Sequence, residues 1–107
     1  MRNGKFRLVQ FETDKVEYKE AAVQLPQSVF KTISAFANAR GGTIVLGIKQ
    51  ENGKAVKQGV QFPQKLVDDL VSTAGEKFNM CPLLNPRIEK AGGKSFVIIE
   101  IQEALPY

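Results

Sequence analysis

Gly41-Gly42-Thr43-Ile44-Val45-Leu46-Gly47-Ile48 is the stretch on which the fold turns. Residues 43–48 are β-branched or apolar with almost no polar break, which is the pattern of a strand covered on both faces, so they predict the central strand of a sheet. Upstream, Leu25-Pro26 predicts the opening of a helix, because proline suits a first turn where its missing N–H is not needed. Val29, Phe30, Ile33, Phe36 and Ala37 then recur at helical spacing and direct one apolar stripe at a core. Gly41-Gly42 ends that helix, one glycine taking the left-handed cap that would strain any other residue. Downstream, Asn52-Gly53 predicts a tight hairpin turn into a short strand around Ala55-Val56-Lys57, closed by Gly59.

Further from this centre, Val16-Glu17-Tyr18-Lys19-Glu20 alternates apolar and charged residues, as a strand with one buried face does. Residues 6–11 form either an earlier strand or an arm lying on the domain, and Met1 to Lys5 read as leader. Pro63 predicts a second helix with Val67, Leu70, Val71, Ala74 and Phe78 on its stripe, stopped by Asn79 to Pro82. Arg87 to Ala91, a Gly92-Gly93 turn and Lys94 to Ile101 predict a terminal hairpin. The order β-α-β-(β)-α-β-β is that of an α/β (α+β) two-layer sandwich, with a mixed sheet and both helices packed against it.

A chain of 107 residues, 43% hydrophobic and 24% charged, holds one domain, expected over 12–107 with 1–11 as leader or N-terminal arm. The single cysteine, Cys81, excludes an internal disulfide and is expected to be a small hydrophobic contact. With no histidine, the usual zinc sites and every His-based triad are excluded. No apolar run reaches the roughly 20 residues a membrane helix needs, so a cytoplasmic protein is expected. No cofactor is implied.

Fifteen Lys and Arg against eleven Asp and Glu give a net charge of +4. The excess lies in residues 1–59, with ten bases and five acids, whereas residues 60–107 hold five and six. That basic half is the expected side for a phosphate-bearing partner, although solubility alone favours a charge of this size. Its candidates are Lys15, Lys19, Lys31, Arg40, Lys49, Lys54 and Lys57. Lys49, Lys54 and Lys57 flank one hairpin, and such an arm tracks a backbone through contacts without base specificity. With Arg40 added, the arm is the expected nucleic-acid face. Asn38, Gly41, Gly42 and Gly47 are read as structural: an asparagine near a helix end ties its neighbouring backbone, and glycine lets backbones approach closely. With no Trp, and most Phe in core patterns, base stacking is not indicated except at Tyr18 or Tyr107, both better explained as packing or tail residues.

Glu12-Thr13-Asp14-Lys15-Val16-Glu17-Tyr18-Lys19, Ile33-Ser34-Ala35-Phe36-Ala37-Asn38 and Gly41 to Ile48 together resemble the Schlafen AlbA-like (AlbA_2) domain in order and spacing. The resemblance covers 12–107 and implies an Alba-like fold and a DNA-binding role in bacterial transcriptional regulators. It also implies that Glu103 to Tyr107 is where such domains run on, so a fragment of a longer protein is expected. In animal Schlafen proteins a domain of this type contributes to RNA cleavage with a carboxylate cluster as metal site. Two of those acids match Glu12 and Glu17, and the third position reads Lys49-Gln50, with Glu51 one residue beyond. Two glutamates hold a divalent cation poorly, and Lys49 repels one, so no metal site and no enzyme activity are expected. The leading expectation is a module contacting nucleic acid, DNA before RNA, through phosphates. The alternatives are a metal-dependent nuclease using Glu12, Glu17 and Glu51, and a homodimeric assembly or sensing module without direct nucleic-acid contact.

Overall fold

The computed structural model describes residues 15–78 and 83–104. The expectations for residues 6–11, Glu12, Cys81 and Tyr107 lie outside them. At the centre is β2 (Gly42–Leu46), with parallel β1 (Val16–Lys19) on one side and antiparallel β6 (Lys94–Ile101) on the other. β5 (Leu84–Ala91) pairs with β6 through the Gly92-Gly93 turn, giving the order β1-β2-β6-β5. β3 (Ile48–Glu51) and β4 (Lys54–Lys57) form a separate two-stranded ribbon closed by Asn52 at φ 52° and Gly53 at φ 74°. Both values are positive, as a primed two-residue turn requires. Helix α1 (Val29–Ala37) joins β1 to β2, and α2 (Pro63–Lys77) joins β4 to β5.

The apolar run around β2 is explained by two cores. Ile44 and Leu46, with Val97, Ile99 and Ile101 of β6, pack under the helices against Ile33, Phe36, Leu66 and Leu70. Val45, with Tyr18, Phe96 and Ile98, points to the other face and packs against Ile48 of the ribbon, with Ala55 beside it. Alternation along a strand makes one run serve both layers. The architecture is thus the expected mixed sheet with two helices, with the addition that the opposite face is partly roofed by the ribbon. No helix of the described residues is long and apolar enough to cross a membrane.

Several boundaries differ from the sequence reading. The strand expected to run through Ile48 breaks at Gly47, whose φ of 110° turns the chain off the sheet and into the ribbon. Helix α1 begins at Val29, not at Pro26. Val29 N–H bonds the Pro26 carbonyl at 3.1 Å across a preliminary turn, and the Ser28 hydroxyl that would cap the helix instead accepts from Lys19 Nζ at 3.0 Å. On α2 the expected Leu70 and Ala74 are buried and Val67 and Phe78 pack against the core, but Val71 is 55% exposed and Leu66 takes its place in the buried row. β5 starts three residues earlier than Arg87 and contains Pro86, which an edge strand tolerates because no further strand needs its N–H. Lys77 in the last turn of α2 sits 5.6 Å from the centroid of the Phe30 ring and ties the two helices together.

Candidate nucleic-acid interface

The ribbon lies on the sheet through part of one face. By register, Ile48 and Ala55 share a side with Gln50 and Lys57, while Lys49, Glu51, Lys54 and Val56 share the other. The inner side is anchored by Ile48, 1% exposed, on Phe96, which is fully buried. The outer side is wet: Glu51, Lys54 and Val56 are exposed and Lys49 is half-buried. Among the described residues no ion pair engages Lys49, Lys54 or Lys57.

The base of the ribbon is fixed by backbone. Gln58 and Gly59 N–H both donate to the Gly47 carbonyl, at 3.0 and 2.8 Å, and Gly47 N–H donates to the Lys19 carbonyl at 2.8 Å. Val60 N–H donates to Ser95 at 2.8 Å, and Lys94 Nζ reaches the Lys57 carbonyl at 2.9 Å. Lys94 therefore brings a fourth cation to the three expected here. Sequence reading missed it because the contact spans 37 residues and depends on how two hairpins lie together. A groove of about 410 Å³ runs between these hairpins, lined in part by Gln58, Gln61, Lys94 and Ser95.

The other expected bases are placed elsewhere. Lys19 is on the helix side of the sheet edge: its Nζ sits 3.0 Å from Glu17 Oε2 and 3.0 Å from Ser28 Oγ, and its side chain is only 11% exposed. Thr32 Oγ1 donates to the same Glu17 oxygen at 3.5 Å. This lysine and glutamate thus lock β1 to α1. Lys31 is exposed on α1. Arg40 and Lys15 lie at the end of β2 opposite the one from which the ribbon departs, beside Gly41 and Gly42. The structure keeps Lys49, Lys54 and Lys57 on the ribbon, Lys57 on the opposite side from the other two, with Lys94 at its base, and separates Arg40 and Lys15 from them by the length of a strand.

The helix-to-strand corner carries the expected structural motif. Gly41 adopts φ 82°, its N–H donates to the Phe36 carbonyl at 2.8 Å, and a Cβ there would lie 2.6 Å from the Ile101 carbonyl oxygen. Only glycine allows β6 to end so close. Asn38 acts as the helix C-cap through its backbone N–H on Ser34 O at 3.0 Å. Of the acids, Glu17 is engaged by Lys19 and Thr32, and Glu51 sits across the ribbon turn from Lys54. Among the described residues no three Asp, Glu, Cys or His side chains converge as metal ligands.

The fold has a counterpart among known proteins. The family model described as Schlafen, AlbA_2 matches residues 12–106. The chain belongs to the Schlafen AlbA_2 family. A similar solved structure is the solution NMR structure of the N-terminal domain of a protein from Nitrosomonas europaea named as ATP-dependent DNA helicase RecG-related. The match has a TM-score of 0.73 at 27% identity and covers 87% of this chain and 67% of the other. No curated protein matches the chain in sequence. Of the three blocks that resemble the family, the described residues of the first fall on and before β1, the second falls on α1 and its cap, and the third on the Gly41 corner and β2, the scaffold from which the ribbon departs.

Proposed function

We propose that this AlbA_2 domain binds nucleic acid, DNA before RNA, through phosphate contacts made by the β3–β4 ribbon and Lys94, without cleaving it, as the recognition module of a longer transcriptional regulator. The observation that carries the reading is the ribbon itself: two strands seated on the sheet through Ile48 and Ala55, pinned at the base, holding three lysines without ion pairs among the described residues. Point charges on a stiff arm contact phosphates with little sequence preference. The family and the DNA-helicase-related name of the structural neighbour support the same direction.

The test is fluorescence anisotropy against labelled duplex DNA, single-stranded DNA and structured RNA at a series of salt concentrations. Affinity is expected to fall steeply with salt, and Lys54→Glu with Lys57→Glu is expected to reduce the slope of log K against log salt by about two units, roughly one for each phosphate contact removed. Unchanged affinity of the double variant at low salt removes the ribbon from the account. Gel analysis of the same samples with manganese is expected to show intact polymer; cleavage lost in Glu17→Ala would promote the nuclease reading instead.

A further inference from the structure

The ribbon covers only part of its sheet face. Registers place Val16, Thr43, Glu100 and Asn85 in one cross-strand row, at the end away from the buried Val45 and Phe96 that seat the ribbon. Over this row is an open groove of about 330 Å³, rimmed by Lys15, Arg40 and the Gly41-Gly42 turn and closed by Gln102.

We propose that this groove is a second, separate anion site that takes one phosphate group, with Arg40 as its principal ligand, Lys15 adding charge, and Thr43, Asn85 and Gln102 supplying neutral hydrogen bonds. It extends the nucleic-acid reading above, in which the ribbon alone makes the contacts. Three observations carry it. Arg40 is exposed and engaged in no ion pair among the described residues. The one carboxylate among the described residues lining the groove, Glu100, is already neutralised, because Arg87 Nη1 donates to its Oε2 at 2.8 Å. The helix C-terminus beside the groove, whose dipole disfavours an anion, has two of its last carbonyls already engaged: Phe36 O accepts from Ala39 and Gly41, and Ala37 O accepts from Ala104. What the anion meets is therefore a guanidinium fork suited to phosphate oxygens.

The test uses the whole chain and two probes. In ¹⁵N-detected NMR titration with inorganic phosphate, saturable shifts are expected at Gly41, Gly42 and Thr43. Arg40→Gln is expected to weaken that binding about tenfold, the loss of one charge-assisted contact, whereas the Lys54→Glu, Lys57→Glu variant retains it. Glu100→Gln, which releases Arg87 from its ion pair beside the groove, is expected to tighten it. Shifts that are unsaturable, spread over all exposed lysines, or unaffected by Arg40→Gln would overturn the site. The second probe is an oligonucleotide with and without a terminal phosphate: a gain from that phosphate lost in Arg40→Gln places the group on a strand end, and loss of affinity for both oligonucleotides places it within the strand. If Arg40→Gln weakens inorganic phosphate alone, the site stands for a free phosphate compound. Because the first probe needs no polymer, failure of the ribbon and failure of the groove give different results.

Discussion

The two hairpins close on the same kind of turn and then take opposite courses. Asn52-Gly53 and Gly92-Gly93 all sit at positive φ, yet β5–β6 extends the sheet while β3–β4 leaves it and lies across it. Side chains decide the difference. β6 carries Phe96 to Ile99 and Ile101, apolar in both parities, and is buried on both faces. The ribbon has apolar residues mainly in one parity, so it lies as a cover with its other side in water. Their charges differ as well: Arg87 of β5 pairs with Glu89 at 2.9 Å and Glu100 at 2.8 Å, whereas Lys49, Lys54 and Lys57 hold no ion pair among the described residues.

Phe96→Ala is expected to break the contrast most, because Phe96 belongs to one hairpin and seats the other. Removing so large a fully buried side chain costs about 3–5 kcal/mol. Chemical denaturation measures the loss, and hydrogen exchange is expected to accelerate in the ribbon more than in α1. Gly47→Ala comes next, at about 2–3 kcal/mol, since the residue holds φ 110° and its new Cβ would lie 2.9 Å from the Phe96 ring and 3.2 Å from the Gly59 backbone. A stable variant with an unchanged ribbon would show that the corner does not set the ribbon's course. Arg87→Ala sharpens the comparison with the smallest effect, under about 1 kcal/mol, because the pair is half exposed. The hydrogen bond to Glu100 raises the Arg87 pKa, so its contribution is fully present at neutral pH and is lost only in strongly alkaline solution, as pH passes through the raised value. Thermal melts compared at neutral pH and at a moderately alkaline one are expected to show the same small difference between wild type and variant.

Much of this fold was legible from local chemistry. The two prolines near helix starts, the glycine cap and the paired turn residues act over a few positions, and each marked its element to within a few residues. What escaped depends on tertiary contact. Gly47 stands inside an apolar run that reads as continuous strand, and only the crowding of Phe96 and Val60 around it reveals a corner. Leu66 and Val71 are equally apolar, and helical spacing alone does not say which of the two meets the sheet. The ion pair of Lys19 with Glu17 is local and open to sequence reading, but its bond to Ser28, nine residues away, which holds it against α1, is not. Arg40 and the ribbon lysines share a charge and a half of the chain, yet a strand separates them.

The position of β6 has a consequence for the order in which the molecule is made. β2 pairs on one side with a strand already synthesised and on the other with one that emerges last, Gly42 opposite Ile101. During translation the ribbon sequence is complete long before its seat exists, because Lys57 and the Lys94 that holds it are 37 residues apart. Such long-range pairing is paid for in loop entropy before it returns any contact, and it slows folding. A nascent chain halted before β6 thus exposes an unpaired edge of its most apolar strand, and the domain acquires its basic ribbon as a rigid surface only when synthesis of the sheet is finished.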